Sequence, residues 1–252
     1  MLNQFSRTEL LLGKEAMEIL NKAHVAVFGI GGVGGYTVEA LVRSGIQHID
    51  IIDNDTVSLT NLNRQIIATH STIGKYKVDV MKDRILDINP SAEVNVHKCF
   101  YLPETRDLFD FTKYDYVVDA VDTVTAKINL ILQAKEAGTK IICSMGAGNK
   151  MDPTQFQVAD ISQTTVCPLA RVMRQECKKR KIKNVKVVFS TEKVLRPIEA
   201  IQPEKSSADN RSTVRRDIPG SNAFVPSVAG LIIASEIIKD LTGEATARAR
   251  SL

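Results

Sequence analysis

Short apolar runs alternate with longer amphipathic stretches along the first 150 residues of the chain. Each run is rich in β-branched residues and too short for a buried helix, so it predicts a strand covered on both faces. The stretches between the runs have the spacing of apolar residues expected of helices with one buried face. The runs are HVAVFGI, HIDIID, AEVNVHKC, YDYVVDAVD and TKIICSMG. The alternation predicts a doubly wound α/β fold with a mostly parallel sheet.

Local signals predict where several elements begin and end. Residues 6–9, SRTE, match a capping box that opens a helix expected to continue through residues 9–23. Gly45 is expected to end the helix after the first strand, and residues 89–90, Asn-Pro, the helix before the third strand. The strand YDYVVDAVD is expected to reach Asp122.

The pattern weakens after residue 150. FQVADIS and VKVVFSTEK predict two strands on either side of a basic helix, and residues 202–222 have the composition of a loop. The last apolar stretch, NAFVPSVAGLIIASEIIKDLTG, predicts a helix that ends at Gly243 before a frayed tail. We therefore expect two regions in one continuous fold, residues 1–150 and a C-terminal extension of strands and helices over 151–252.

The composition is that of an ordinary globular protein. Of 252 residues, 44% are hydrophobic and 25% charged, which excludes a disordered chain, a collagen-like fibre and a coiled coil. The four cysteines form no CxxC pair, so neither a zinc site nor a disulfide framework is expected. The N-terminus lacks the pattern of a signal peptide, and polar residues interrupt the apolar stretch near the C-terminus. We expect a soluble, cytoplasmic protein with no membrane partner.

One segment holds the positive excess of the chain. The net charge is +4, yet residues 171–186 contain eight Lys or Arg and a single acid. Such a cluster is either a solvated helix face or a docking surface for a phosphate-rich polymer, because cations that bind phosphates release condensed counterions. We refer to these eight residues as the basic segment. They are Arg171, Arg174, Lys178, Lys179, Arg180, Lys181, Lys183 and Lys186.

A glycine-rich motif directly follows the first predicted strand. Residues 29–34, GIGGVG, match GxGxxG, and glycines there allow a tight turn and a close approach of backbone amides to phosphate. The glycines are Gly29, Gly31, Gly32 and Gly34. Asp53, 19 residues after Gly34, stands where an acid bonds ribose hydroxyls. The motif predicts a Rossmann-like nucleotide site, with NAD as the default ligand.

The residues that follow this acid argue against NAD. Asn61, Arg64 and Gln65 lie within NLNRQ, and Lys77 comes shortly after. A triphosphate has more negative charge than a pyrophosphate and needs Arg and Lys to hold it, whereas a dinucleotide needs few cations there. Asp122, at the carboxyl end of a predicted strand, is suited to a Mg²⁺ ion that bridges phosphates. Together these residues predict ATP with magnesium.

Taken together, the motifs resemble the ubiquitin-activating-enzyme-like (ThiF) adenylyltransferases. The resemblance covers residues 5–150 and rests on GIGGVGG, DND, NLNRQ, Lys77 and the DAVD of residues 119–122. It implies an ATP-binding adenylation domain over residues 1–150, Mg²⁺, a monovalent cation as a further candidate cofactor, and a homodimer. The implied nucleotide contacts are Gly29, Gly31, Gly32, Gly34, Asp53, Asp55, Asn61, Arg64, Gln65 and Lys77. Catalytic roles are implied for Arg64, Lys77, Asp122 as the metal ligand, and Arg7, which would reach the phosphates of the neighbouring subunit.

Two departures narrow this resemblance. The chain lacks the paired CxxC zinc site of most members that activate sulfur carriers, and it lacks the cysteine-bearing crossover region of the ubiquitin-type enzymes. Residues 160–192, with DISQTTVCPLARVMRQECKKRKI and VFSTE, are similar instead to the branch of tRNA threonylcarbamoyladenosine dehydratases. That branch implies a substrate-binding extension over 151–252 with tRNA as the partner of the basic segment. The implied tRNA contacts are Arg171, Arg174, Lys178, Lys179, Arg180 and Lys181.

The resemblance implies an ATP-dependent cyclisation. A threonyl carboxylate would attack the α-phosphate, and a carbamoyl nitrogen of the same side chain would then close a ring and expel AMP. An intramolecular nucleophile requires no covalent enzyme intermediate, which agrees with the missing cysteine motifs. Three alternatives stay open at this point: activation of the C-terminus of a ubiquitin-like sulfur carrier, with a sulfur-transfer partner protein; an NAD-dependent oxidoreductase; and a nucleotide-binding scaffold without catalysis.

Overall fold

The computed structural model describes residues 2–198 and 219–251, and a seven-stranded sheet forms the centre of that part of the chain. The strands are β1 (His24–Phe28), β2 (His48–Ile52), β3 (Glu93–His97), β4 (Tyr116–Asp119), β5 (Lys140–Ser144), β6 (Phe156–Asp160) and β7 (Lys186–Ser190). Their order is β3-β2-β1-β4-β5-β7-β6. All neighbours pair in parallel except β6, which runs antiparallel to β7 at one edge.

Helices cover both faces of this sheet. They are α1 (Ser6–Leu12), α2 (Lys14–Lys22), α3 (Gly34–Arg43), α4 (Lys77–Ile88), α5 (Val124–Ala137), α6 (Pro168–Lys179) and α7 (Val225–Arg250). The apolar faces of α2, α3, α4 and α7 join Val27 of β1 in one core cluster. Those of α5 and α6 join the neighbouring Phe28 and aromatic residues of segment 101–114 in a second cluster. The predicted doubly wound, mostly parallel α/β fold is therefore confirmed.

The strand order changes direction beside β1. The strands β2 and β3 lie on one side of β1, whereas β4 and β5 lie on the other. Because the carboxyl ends of parallel strands meet at the same edge, a crevice opens there between the loops of β1 and β4. Open α/β sheets bind ligands at such a point, so the fold brings the predicted motifs after β1, β2 and β4 to one place.

The N-terminal helix differs from the prediction in two ways. Gly13, with a φ of 87°, divides the expected single helix into α1 and α2. A Cβ on Gly13 would lie 3.2 Å from the Cβ of Ala249, so the break also lets α7 approach closely. The predicted capping box is wrong, because Phe5 is the N-cap and makes no side-chain cap bond. The Ser6 hydroxyl instead accepts a hydrogen bond from the N–H of Asn3 at 2.8 Å.

The C-terminal helix is longer than predicted. It continues through Gly243 to Arg250, so the predicted stop at Gly243 and the frayed tail are wrong. The additional turns pack on the N-terminal helices, where Ala245 is buried and Arg248 forms an ion pair with Glu15. A single helical glycine costs about 1 kcal/mol relative to Ala. Tertiary packing outweighs that cost here.

Three other predictions are affected by the fold. The strand β4 ends at Asp119, so Asp122 lies in the following loop rather than on the strand. The strands β6 and β7 belong to the same sheet as β1 to β5, and the division at residue 150 stays a prediction. Of the predicted loop 202–222, residues 202–218 lie outside the described residues. Within the described ranges, no helix has the length and apolar character needed to cross a bilayer.

Candidate nucleotide-binding site

A cavity of about 1040 Å³ opens at the carboxyl edge of the sheet, where the strand order changes direction. Its walls come from the loops after the first five strands, from segment 59–65 and from residues 219–221. The predicted site residues that line it are Gly29, Gly31, Gly32, Asp53, Asp55, Asn61, Arg64, Gln65, Lys77 and Asp122. Gly34, Arg7 and the basic segment do not line it.

Close backbone contacts require the glycines after β1. Gly29 has a φ of 91°, and a Cβ on it would lie 2.7 Å from the carbonyl oxygen of Ala120. A Cβ on Gly34 would lie 1.8 Å from the carbonyl oxygen of Gly29, so α3 can begin here only with a glycine. Gly34 therefore lets the loop pack closely against the start of α3, although it does not line the cavity itself. The N-terminus of α3 follows directly, and its free N–H groups favour an anion.

Asp53 fastens the end of β2 to the glycine loop. Its Oδ2 accepts a hydrogen bond from the N–H of Ile30 at 2.7 Å, and its Oδ1 accepts one from the N–H of Asp55 at 2.8 Å. Burial raises the pKa of Asp53, and the nearby Lys77 ammonium opposes that rise. A carboxylate oxygen can accept more than one hydrogen bond. Asp53 can therefore bind a ribose hydroxyl while it holds the loop.

Lys77 is a buried cation at the first position of α4. It is 6% exposed, and its Nζ donates a hydrogen bond to Oδ2 of Asp55 at 2.7 Å. The Asp55 side chain is more than half exposed. An ammonium has three donors, and this contact uses one of them. The remaining donors suit Lys77 to bind ligand oxygen atoms at the cavity wall.

Arg64 presents a guanidinium that has no carboxylate oxygen within 4.0 Å in the described part of the chain. Its Nη1 donates to the carbonyl oxygen of Thr60 at 2.9 Å and to Oδ1 of Asn63 at 3.0 Å. Burial lowers the pKa of Arg64. A partly desolvated guanidinium without a counter-charge, on a cavity wall, is suited to bind a phosphate.

Asn61 and Gln65 are buried in the same wall. The Oδ1 of Asn61 accepts from the N–H of Ser58 at 3.1 Å, and its carbonyl oxygen accepts from the N–H groups of Arg64 and Gln65. Asn61 thus supports the turn that presents these two side chains. The carboxamide oxygen of Gln65 is buried and has no hydrogen-bond partner among the described residues. Because Gln65 lies on the cavity wall, this oxygen is available to accept a hydrogen bond from a ligand or a water molecule.

Asp122 is an exposed carboxylate on the cavity wall. Its Oδ1 accepts a hydrogen bond from the hydroxyl of Thr123 at 3.3 Å. In residues 2–198 and 219–251, no group of three His, Cys, Asp or Glu side chains is arranged to hold a metal ion. This donor set fits Mg²⁺ bound together with ATP, because one or two carboxylates plus phosphate oxygens and water commonly hold that ion. Magnesium itself stays a prediction.

A buried ion pair beneath the Asp122 loop was not predicted from the sequence. Lys127 and Asp119 are both fully buried, and the Lys127 Nζ donates to Oδ1 of Asp119 and to the carbonyl oxygen of Val121, each at 2.9 Å. Burial raises the pKa of Asp119, and Lys127 opposes the rise. The pair fixes the path of the loop that presents Asp122. The signal in the sequence was a lysine within the apolar part of a helix.

Other parts of the cavity wall also escaped the sequence analysis. Residues 99–101 follow β3 and line one side, whereas residues 147–148 and 219–221 line the side toward β5. His70 lies in the wall as well. These residues come from distant parts of the chain and belong to no motif. Only the fold brings them together.

Arg7 does not line the cavity of its own subunit. It is exposed on α1 and forms no ion pair with any described residue. The same helix exposes Leu10 at 86% and Leu11 at 69%. Exposed apolar side chains beside an unpaired cation are typical of a contact surface. The role of Arg7 in a neighbouring subunit stays a prediction.

The basic segment extends from α6 to β7, outside the cavity wall, and its members are not equivalent. Four of them are tied to the fold: Arg174 to Thr164, Lys186 to Asp240, and Lys179 and Arg180 to Glu176. Four exposed members have no ion-pair partner among the described residues: Arg171, Lys178, Lys181 and Lys183. A phosphate polymer would find its counter-charge in this second group. Contact with tRNA stays a prediction.

Comparisons with known proteins extend over nearly the whole chain. The ThiF family matches residues 5–251. The tRNA threonylcarbamoyladenosine dehydratase of Bacillus subtilis is 48% identical over 242 residues, which cover 96% of this chain and 95% of that protein. The crystal structure of E. coli tRNA N6-threonylcarbamoyladenosine dehydratase in complex with ATP is similar with a TM-score of 0.84, at 34% identity over 96% of this chain and 95% of that one. The adenylyltransferase and sulfurtransferase MOCS3 of Culex quinquefasciatus is 38% identical over 126 residues, which cover 49% of this chain and 28% of that protein.

Proposed function

Because the chain belongs to the ThiF family, we propose that it catalyses the ATP-dependent cyclisation of threonylcarbamoyladenosine in tRNA, with loss of water. One observation supports this function above the others. The Bacillus subtilis dehydratase matches 96% of the chain, including the extension after residue 150, whereas the sulfurtransferase relative matches 49%. A match of 126 residues cannot span the whole of both the nucleotide region and the extension. The longer match therefore favours tRNA.

The proposed reaction has two steps at one site. First, a carboxylate oxygen of the threonyl group attacks the α-phosphorus of ATP, and the bond from that phosphorus to the bridging oxygen breaks to release pyrophosphate. Next, the carbamoyl nitrogen of the same side chain attacks the activated carbonyl carbon, loses its proton and expels AMP. The nucleoside loses one molecule of water, whose oxygen leaves with AMP. The ring closes with an effective molarity that can reach about 10⁵ to 10⁸ M, so no enzyme cysteine is required.

The residues of the cavity wall hold and orient ATP in this scheme. Backbone N–H groups of the glycine loop and of α3 bind phosphate oxygens, and Asp53 accepts a hydrogen bond from the ribose. Arg64 and Lys77 offset the negative charge that moves onto the departing pyrophosphate. Both are fixed before the reaction, Lys77 by Asp55 and Arg64 by oxygen acceptors of its own turn. Charges already in place stabilise a transition state without further reorganisation.

We assign Mg²⁺ to Asp122. The ion would neutralise charge on the phosphate oxygens when it is bound with ATP. Asp122 is suited to hold it because its carboxylate is exposed on the cavity wall, and because the Lys127–Asp119 pair fixes the loop from below. A monovalent cation stays a candidate cofactor, and it is supported by the family resemblance alone.

We also propose a homodimer in which Arg7 acts in the partner subunit's site. Leu10 and Leu11 are exposed on α1, and Leu59, which is 64% exposed, lies on the cavity wall. A second copy that covers these apolar side chains would bring an α1 helix to the cavity. A cytoplasmic location goes with a tRNA substrate.

Activation of a sulfur carrier, with a sulfur-transfer partner protein, is the second candidate. The match to the sulfurtransferase relative favours it, since that match is 38% identical. An NAD-dependent oxidoreductase is disfavoured, because Arg64 and Lys77 line the cavity where a dinucleotide needs few cations.

Pyrophosphate release tests the choice between these candidates. The protein is incubated with ATP and Mg²⁺, and either tRNA that contains threonylcarbamoyladenosine or a ubiquitin-like sulfur carrier is added. We expect release with the modified tRNA, and none with the carrier or with tRNA that lacks the modification. Release with the carrier alone would support the second candidate. Tight binding of NAD without affinity for ATP, measured by calorimetry, would contradict both.

A further inference from the structure

We infer that the carboxylate-bearing side chain of the substrate binds against residues 147–148 and 219–221, and that Lys150 and Glu192 are positioning residues for this surface. We call residues 147–148 and 219–221 the substrate wall. The inference rests on the proposed function, because it locates the second substrate of that reaction.

The strand order separates the two sides of the cavity. The loops after β2 and β1 present Asp53 and the glycine motif, and the loop after β4 presents Asp122. The loop after β5, the next strand in the sheet, leads to residues 147–148. ATP that places its ribose at Asp53 and its phosphates at the glycine loop leaves the β5 side of the cavity open. The substrate wall therefore faces the place where the α-phosphate must lie.

The two sides also differ in charge. Among the described residues, the Lys and Arg side chains that line the cavity are Arg64 and Lys77, and both come from the nucleotide side. The substrate wall consists of Ala, Gly, Pro, Gly and Ser and has no charged side chain. It offers phosphate no counter-charge, but its main-chain groups and the Ser221 hydroxyl can form hydrogen bonds with a carboxylate or a carbamoyl group.

Lys150 and Glu192 join two loops behind this wall. Lys150 is 3% exposed, and its Nζ donates to the carbonyl oxygen of Glu192 at 2.6 Å. The Glu192 carboxylate accepts from the N–H groups of Met151 at 2.9 Å and Asp152 at 3.0 Å. No carboxylate of the described residues lies within 4.0 Å of the Lys150 ammonium. A buried ammonium is costly unless its hydrogen bonds are satisfied, so the contact with the Glu192 carbonyl oxygen ties the two loops together and points to a positioning role.

Two asparagines connect this pair to the substrate wall. The Asn222 Nδ2 donates to the carbonyl oxygen of Lys150 at 2.8 Å. Asn149 accepts a hydrogen bond from the N–H of Gly220 through its Oδ1 at 2.6 Å, and its own N–H donates to the Gly220 carbonyl oxygen at 2.8 Å. The two stretches of the wall are therefore held together. Through these asparagines, Lys150 and Glu192 determine the position of both stretches of the substrate wall.

The basic helix begins beside the same wall. A Cβ on Gly146 would lie 3.7 Å from the Cβ of Leu169 and 3.8 Å from the Sγ of Cys167, at the N-terminus of α6. A tRNA that follows the exposed cations of α6 would reach the cavity from the side of the substrate wall.

The test compares Lys150→Met with Lys193→Met in the full-length protein. Both variants remove one ammonium, but Lys193 is exposed and has no ion-pair or hydrogen-bond partner among the described residues. ATP affinity is measured by calorimetry, and kcat and KM for modified tRNA by pyrophosphate release. For Lys150→Met we expect ATP affinity within about twofold of wild type, with kcat/KM for tRNA lower by about tenfold or more. A misplacement of about 1 Å can cost on the order of 100-fold in rate. Lys193→Met should match wild type in both measurements.

The inference is overturned if Lys150→Met weakens ATP binding in step with activity, or if neither quantity changes. If Lys150→Met shows no cooperative thermal transition, and therefore does not fold, Glu192→Gln is measured instead and judged by the same criteria. If the wild-type protein itself releases no pyrophosphate with modified tRNA, the proposed function fails first. The two failures are therefore distinguishable.

Discussion

Lys77 and Arg64 reach the cavity in different ways. Lys77 is nearly fully buried and paired with Asp55, whereas Arg64 is held by neutral oxygen acceptors and has no carboxylate partner among the described residues. A lysine acts as a point charge, and an arginine can bind two phosphate oxygens at once. We therefore assign Lys77 to charge stabilisation in the transition state, and Arg64 to holding the triphosphate in both ground and transition states.

Lys77→Ala should lower the rate of adenylation by about 100-fold or more, as the loss of one fixed charge-stabilising group does in other enzymes. The measurement is pyrophosphate release at saturating ATP and modified tRNA. Lys75→Ala is the matched control, since Lys75 is two residues away, exposed and without an ion-pair partner among the described residues. It should retain the wild-type rate. Equal rates for Lys77→Ala and wild type would remove Lys77 from the mechanism.

A polar cluster around Asp50, on one face of the sheet, makes the stability of the fold depend on pH. Asp50 is 4% exposed and accepts hydrogen bonds from His24 at 2.7 Å, His97 at 2.9 Å, Asn95 at 2.8 Å and Tyr114 at 2.9 Å. Burial alone would raise the pKa of Asp50, but these hydrogen bonds hold it well below its usual range. The carboxylate is therefore more favourable in the folded state than in the unfolded one.

Asp50→Asn should lower the free energy of unfolding at neutral pH by about 1.5–3 kcal/mol, the usual worth of hydrogen bonds to a charged group. The folded pKa lies below the unfolded value of about 3.9, so the contribution is complete above that value and declines as pH falls below it. Urea unfolding should show that the difference in free energy of unfolding between wild type and variant becomes smaller below about pH 4.

The control for this measurement is Glu93→Gln. Glu93 pairs with His48 at 3.1 Å, but its side chain is 77% exposed, so its loss should change stability by no more than about 0.5 kcal/mol. If the difference in free energy of unfolding between wild type and Asp50→Asn became larger at low pH, the Asp50 carboxylate would not stabilise the fold in the way we assign to it.

Single residues of the site were predictable where a local motif contains them. The glycine loop and Asp53 have the spacing typical of nucleotide sites, whereas NLNRQ and Lys77 were predicted from the charge of a triphosphate and from the family resemblance. All of these segments reach the cavity. Lys127 and Lys150 have no such spacing. Their partners are a strand residue and a backbone carbonyl distant in the chain, and sequence patterns do not encode such contacts.

Helix α6 is the element on which the tRNA prediction depends. Lys178 and Lys181 are exposed members of the basic segment without ion-pair partners among the described residues. Reversing both charges, Lys178→Glu with Lys181→Glu, should weaken tRNA binding strongly. It should also reduce the dependence of log affinity on log salt by about two, since each lost phosphate contact removes about one unit. Filter binding at several salt concentrations measures both effects.

ATP affinity should stay near the wild-type value in this double variant, because neither Lys178 nor Lys181 lines the cavity. Reversal of Lys14 and Lys22, two exposed cations outside the basic segment that also have no ion-pair partner among the described residues, provides the matched control and should leave the salt slope unchanged. Identical slopes for both double variants and wild type would show that the basic segment is a solvated face.

The strands and central helices were predictable because each contains its own pattern. The limits of the N- and C-terminal helices were not predictable, because these limits depend on how the helices at the two ends of the chain pack against each other. Gly13 breaks the first helix where Ala249 approaches it, and α7 passes Gly243 because its last turns pack on α1 and α2. A glycine inside a helical pattern can end the helix or be passed. The first helix ends at Gly13 and α7 continues through Gly243, and the packing of α7 against α1 and α2 decides between these outcomes.

At the scale of the whole molecule, the proposed dimer predicts that two defective subunits can restore a site. Arg7→Ala removes the residue given to the partner, and Lys77→Ala removes a residue of the subunit's own cavity. Each parent should have little activity. A mixture of the two, once subunits have exchanged, should recover part of the wild-type rate, because one interface of each mixed dimer combines an intact Arg7 with an intact Lys77.

Differently tagged subunits, purified through both tags, show that mixed dimers have formed. Mixed dimers no more active than either parent would exclude action of Arg7 in the partner subunit's site. A monomer at working concentration would exclude it as well.

The central claim is that this chain uses ATP to remove water from threonylcarbamoyladenosine in tRNA. The direct measurement is mass spectrometry of nucleosides from modified tRNA after incubation with the protein, ATP and Mg²⁺. We predict that the threonylcarbamoyladenosine signal is replaced by a nucleoside lighter by one molecule of water, with one AMP formed for each nucleoside converted. Lys77→Ala should leave most of the signal unconverted. An unchanged nucleoside in the presence of wild-type protein that binds ATP would contradict the account.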